Sequence, residues 1–136
     1  LGMIHGVELN DQNEIVVRLT PTYSGCPATD VLTADITQAF AAKGLTPVKV
    51  VVDLSEVWTT DWMSEAGKEK LQQYGIAPPQ GNSHSCGTHV ALTDGIQCPR
   101  CHSQHTKLLS EFSSTACKAL YRCQDCLEPF DYFKCI

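Results

Sequence analysis

The chain of 136 residues has no run approaching the ~20 consecutive apolar residues that a membrane-spanning helix needs, so no membrane association is expected. Basic charge is also scarce. Ten Lys and Arg stand against 15 Asp and Glu, a net charge of -5. Because affinity for nucleic acid rests mainly on cations neutralising phosphates, nucleic acid is excluded as an expected partner. There is no GxGxxG, P-loop or HExxH motif, and no serine stands in a nucleophile elbow, so neither a dehydrogenase nor a conventional hydrolase has a foundation here. A carboxylate-bridged di-iron oxygenase would need several Glu and Glu-x-x-His pairs on helices, and these are missing too. No secretory segment is visible, although the chain opens on LGMIHG without an initiator Met, which leaves an upstream segment open. Cysteine is nearly absent from the first 79 residues, where Cys26 stands alone.

The rest of the chain is rich in cysteine, with seven of the eight between 86 and 135. That distribution gives the first part no internal disulfide, and CxxC pairs point to metal in a reducing compartment. The length admits one ordinary core with a satellite module. EIVVRLT (14 to 20) alternates like a strand, GVEL before it reads as its hairpin partner, and Pro27 to Lys43 has helical spacing with Leu32, Ile36, Ala39 and Phe40 on one stripe. VKVVVDL (48 to 54) is apolar on both faces and should lie at the centre of its sheet. Asp61 can cap a second helix running from about Trp62 to Tyr74. The fold class expected is α+β: a small domain over 1–80 with helices on a sheet, a linker over 81–96 signalled by the Pro, Gly, Ser and Asn of APPQGNSHSCG, and a zinc ribbon over 97–136.

The pattern Cys98-x2-Cys101-x21-Cys123-x2-Cys126 carries the chemistry. Each two-residue spacer lets both sulfurs of a knuckle face one ion, and two knuckles complete a tetrahedron around structural zinc. About 40 residues rarely fold on apolar burial alone, so metal is the expected staple. Rubredoxin-like iron or an iron-sulfur cluster could use the same thiolates. Cys117 reads as a small buried apolar residue, Cys135 lies outside the pattern, and Cys86 with His84 and His89 reads as linker or as a weak second metal tract. Cys26, between Gly25 and Pro27, is placed as the cap of the first helix, where backbone N–H groups and the helix dipole favour thiolate; a structural cysteine filling the corner is the competing reading. Trp58 and Trp62 form either a recognition edge beside Cys26 or a packed entry to the second helix.

At TPTYSGCPATDVL, VKVVVDL and WTTDWMSEAGKEKLQQYGIAPP the sequence resembles the SufT-type domain of iron-sulfur assembly proteins. Joined to CPRC, SEFSSTACKALYRC, CQDC and EPFDYFKCI, it resembles the PaaD family of phenylacetate degradation over essentially its whole length. The resemblance implies a cytoplasmic accessory protein of phenylacetyl-CoA 1,2-epoxidation, with no catalytic residues of its own. It would assist assembly of an iron-sulfur cluster or metal centre in the epoxidase reductase component. Partners would be proteins of the epoxidase complex, and a homodimer is among the assemblies it allows. Cys26 matches the family's single domain cysteine and would bind a labile iron-sulfur cluster as a transfer thiol, beside structural zinc at Cys98, Cys101, Cys123 and Cys126. The family's acidic DPE-type motif, which precedes the first strand, is absent, so the chain reads as N-terminally truncated. The alternative is an integral epoxygenase subunit taking part in oxygen or electron transfer, which leaves open whether the protein is an enzyme.

Overall fold

The computed structural model describes residues 1–80 and 95–136 and divides the chain into two units, Gly2–Trp58 and Thr59–Ile136, with Leu1 in the second. The class is α+β, as expected. Among the described residues no helix is long and apolar enough to cross a membrane.

In the first unit, β1 (Ile4–Leu9) pairs antiparallel with β2 (Ile15–Leu19), and β3 (Val48–Val52) pairs parallel with β2. The β1–β2 turn is held by Asn10, whose Oδ1 accepts the backbone N–H groups of Gln12 and Glu14, while Asn13 takes a left-handed backbone with φ 61°. Register puts Val7, Val17 and Val50 in one row across the sheet. Between β2 and β3 runs α1 (Thr29–Ala41), which packs against β3. The helix turns Leu32, Ile36 and Phe40 inward as expected, but only to half-burial, and Ala39 is exposed. Gly44 closes the helix at φ +72°, a conformation an L side chain resists.

Two expectations fail here. The central strand is β2, whose Val17 and Leu19 are fully buried, while β3 is an edge that leaves Lys49 and Val52 exposed. Apolarity on both faces signalled strand but not position, because β-branched residues also suit an edge covered by a helix. Cys26 is not the cap of α1. That helix begins at Thr29 after Ala28, and the Cys26 carbonyl accepts both the N–H and the hydroxyl of Thr29 at 3.3 and 2.9 Å, closing a separate turn. Trp58 is buried at 1% exposure, which makes it a core residue and not a recognition edge.

The second unit opens with a short 3-10 turn at Thr60–Trp62, followed by α2 (Glu65–Gln73). Ser64 caps α2, its hydroxyl accepting the Gly67 N–H at 3.1 Å, and Gly75 ends it at φ +91°. Asp61 was expected in that capping role; the chain is still extended at Met63, so the helix starts one turn later. After α2 comes β4 (Ile76–Ala77), which pairs parallel with β7 (Pro129–Phe133). β5 (Thr106–Ser110), β6 (Lys118–Cys123) and β7 run antiparallel, giving the order β4-β7-β6-β5.

The expected boundary near residue 80 therefore needs correction. Thr59–Gln80 contributes a helix and a strand to the ribbon's sheet, and the structural division falls after Trp58. Pro- and Gly-rich composition signals a loop and says nothing about which sheet the flanking segments join. Most of the expected linker, 81–94 with Cys86, His84 and His89, lies outside the described residues. Cys117 is buried, as read from sequence, and Cys135, read only as lying outside the ribbon pattern, is disulfide-bonded.

Candidate metal centre

The β5–β6 hairpin builds the centre. The first CxxC lies just before β5, and the second begins on the last residue of β6, so the antiparallel pairing of Thr106 with Cys123 returns both knuckles to one end of the hairpin. The 21 residues between Cys101 and Cys123 are the end of the first knuckle, the two strands and the loop that joins them. The Sγ atoms of Cys98, Cys101, Cys123 and Cys126 all lie within 4.8 Å of one another. Across the knuckles, Cys98 Sγ is 3.7 Å from Cys126 Sγ, and Cys101 Sγ is 3.5 Å from Cys123 Sγ. Four sulfurs about 2.3 Å from a tetrahedral zinc would sit about 3.8 Å apart, so the cage fits one ion of that size. A cluster in which each thiolate holds a different iron needs a wider cage.

The two knuckles repeat one backbone design. Cys98 donates its N–H to the Ser103 carbonyl at 2.8 Å and Cys123 donates to the Glu128 carbonyl at 2.9 Å, the same five-residue reach in each. The residue after the second cysteine is left-handed in both, His102 with φ 62° and Leu127 with φ 64°. That reversal carries the next N–H back to sulfur: Ser103 donates to Cys101, and Glu128 donates to Cys126. Sequence reading missed these two positions, because neither is glycine and nothing else in CPRCH or CQDCL marks a left-handed residue.

Burial alternates around the cage. Cys98 and Cys123 are 0% exposed and belong to the apolar cluster formed with Ala77, Tyr121, Phe130 and Tyr132, while Cys101 and Cys126 face solvent. Tyr121 stacks on Phe130 and meets Tyr132 edge-on, so the metal cage and the core share walls. The thiols of Cys101, Cys123 and Cys126 influence one another's titration. N–H groups of Cys126 and Asp125, with the neighbouring thiols, outweigh desolvation at Cys123 and bring it down to about 7. At Cys126 the Glu128 N–H favours thiolate, but desolvation and the three other thiols prevail and push it up to about 12. Without an ion, four negative charges cannot share this volume, and a divalent cation removes that repulsion.

Polar links brace the knuckles from outside. Arg100 of the first pairs with Glu128 beyond the second. Ser103 and His105 both bond Asp125, holding its carboxyl below the usual range, the Ser103 hydroxyl being the larger cause. Gln72 of α2 approaches His102 at 3.4 Å, and a cavity of about 270 Å³ opens between α2 and the knuckles, lined in part by Gln72, Pro99, Arg100 and Phe130.

Cys26 is elsewhere, half-buried in the first unit. Among the described residues the four-sulfur group is the one set of three or more His, Cys, Asp or Glu able to share an ion, and Cys26 belongs to no such set.

Comparison with known proteins supplies independent findings. Residues 82–134 match the family model described as the PaaD zinc beta ribbon domain. Over all 136 residues, covering 79% of the relative, the chain is 55% identical to the PaaD protein of Escherichia coli (strain K12), provisionally named as a subunit of 1,2-phenylacetyl-CoA epoxidase. It is 32% identical over 72 residues to a protein of Porphyromonas gingivalis (strain ATCC BAA-308 / W83) named Fe-S protein maturation auxiliary factor, covering 52% of the chain and 69% of that relative. A crystal structure of a DUF59 domain of unknown function from Bacillus anthracis, 25% identical, aligns with a TM-score of 0.47 over 52% of the chain and 69% of its own.

Proposed function

The chain belongs to the PaaD family, and on that premise we propose that it is an accessory protein of the phenylacetyl-CoA epoxidase system that assists assembly of a partner's iron-sulfur or metal centre. The observation that carries this reading is the 32% identity to an iron-sulfur maturation factor within a chain that aligns from end to end with the Escherichia coli PaaD protein. In this reading Cys98, Cys101, Cys123 and Cys126 hold one structural zinc, and the ribbon serves as a docking module. The zinc supplies cross-linking and charge neutralisation; the residues around it keep the cage in shape. Cys26 is the transfer thiol, and an iron-sulfur cluster is its cargo, bound with thiolates from the client, since Cys26 belongs to no group of three or more ligating residues among the described residues. The client is the iron-sulfur reductase component, and the site of action is cytoplasmic.

The test compares epoxidase reductase purified anaerobically from cells carrying the wild-type chain or Cys26→Ser. The serine variant retains its zinc and its melting temperature, and the reductase from that strain holds less iron and sulfide. Equal cluster content in the two strains would refute a carrier role for Cys26.

A second reading is favoured by the name of the Escherichia coli relative, which makes it an integral part of the epoxidase. It predicts stoichiometric co-purification with the oxygenase during turnover, whereas an assembly factor is needed only while clusters are loaded.

A further inference from the structure

We propose that the four-sulfur site is also a site of reversible oxidation, at which hydrogen peroxide joins Cys98 to Cys126 and Cys101 to Cys123, tying one knuckle to the other and releasing the ion. This inference rests on the zinc assignment above and goes beyond it.

Two sulfur contacts cross from one knuckle to the other. Cys98 with Cys126 at 3.7 Å and Cys101 with Cys123 at 3.5 Å use all four sulfurs once. A disulfide needs about 2.0 Å, so each pair closes by less than 2 Å, within reach of side-chain rotation while the backbone stays in place. The backbone has reason to stay: the bonds from Cys98 to Ser103 and from Cys123 to Glu128 fix one cysteine of each knuckle, and Arg100 with Glu128 and Ser103 with Asp125 hold the knuckles together.

Each cross-knuckle pair also joins an exposed sulfur to a buried one. Cys101 and Cys126 can meet peroxide, whereas Cys98 and Cys123 are shielded from it and can act only within the cage. The exposed thiolate attacks one peroxide oxygen, breaking the O–O bond, and becomes a sulfenic acid with loss of hydroxide. The buried thiolate then attacks that sulfur and expels a second hydroxide, forming the S–S bond. Per pair, two thiolates give up two electrons and one peroxide is reduced to two hydroxides. Two peroxides therefore consume all four thiolates, and no ligand remains for the ion.

The pairing matters for the fold. Bonds within each CxxC would leave the knuckles without a covalent link once the ion had gone. Bonds across them join positions 28 and 22 residues apart and restrict the unfolded chain in the ion's place. The ribbon can then lose zinc without losing its sheet.

The experiment uses the full zinc-loaded chain, with bound zinc measured first so that absence of the ion is recognised as failure of the zinc assignment. Hydrogen peroxide is added in steps, released zinc is followed with a chromogenic chelator, and free thiols are then alkylated. Trypsin cuts after Arg100 and an Asp-specific protease cuts before Asp125, so both knuckles are opened and mass spectrometry can assign every pairing. The expected result is one zinc released per chain at about two equivalents of peroxide, a 98–126 bond, a 101–123 bond, and retained β-sheet circular dichroism. Bonds within the CxxC pairs, sulfinic acid at Cys101 or Cys126 without disulfides, or zinc retained in excess peroxide would each overturn the proposal.

Discussion

Gly2–Trp58 contains one cysteine and seven acidic against three basic residues, whereas Thr59–Ile136 contains seven cysteines and nearly balanced charge, eight acidic against seven basic. Their interiors differ in the same sense. The first unit has a helix with no fully buried residue and leaves Ile4, Val7 and Leu9 of β1 more than half exposed. In the second, aromatic rings, small side chains and two cage cysteines share one enclosed cluster. The first unit thus depends on ordinary sheet and helix packing, while the second has drawn two of its four cage cysteines into the core. Loss of the ion should therefore be felt differently by each.

The largest expected effect follows directly. Replacing Cys98 and Cys123 together by Ser removes two cage ligands that are also core residues. The variant should hold no stoichiometric zinc, and hydrogen exchange should show β5–β7 losing protection together with α2 and β4, while β1–β3 keep theirs. Protection retained in α2 would return that helix to the first unit, as composition had suggested. Zinc retained in full would remove these cysteines from the ligand set.

A smaller effect compares one ring from each unit. Tyr121 is completely enclosed, so Tyr121→Ala should cost about 3–5 kcal/mol. Phe40 is only half-buried on α1, and Phe40→Ala should cost roughly half as much or less. Chemical denaturation of both variants measures the difference. Equal losses would mean that α1 is as tightly packed as the ribbon core.

The smallest effect concerns the knuckle backbone. Leu127 is exposed and left-handed at φ 64°, a conformation that costs an L residue roughly 1–2 kcal/mol. Leu127→Gly should relieve that cost and raise the stability of the zinc-loaded ribbon by up to about 1 kcal/mol, offset in part by glycine's greater freedom in the unfolded chain. The same substitution at loop positions with negative φ should do the opposite. A melting temperature lowered by Leu127→Gly would show that the leucine contributes packing the backbone argument leaves out.

Much of this protein was legible in the order of its residues. Alternation in EIVVRLT, the stripe Leu32, Ile36 and Phe40, and two CxxC pairs each report a periodicity or spacing that acts over a few residues, and each appears in the structure as a strand, a helix face and two knuckles. The resemblance of the longer motifs to the PaaD family belongs to the same level, since it compares residues in order. Other features depended on segments distant in the chain. That β2 and not β3 is central, that Ile76–Ala77 joins the ribbon sheet, and that Cys98 and Cys123 are core residues while Cys101 and Cys126 face water were decided only by tertiary structure. Local pattern fixes backbone conformation because neighbouring side chains constrain φ and ψ directly. Burial and strand order depend on which surfaces meet, and the residues that meet here stand as far as 76 positions apart, as Thr60 and Ile136 do.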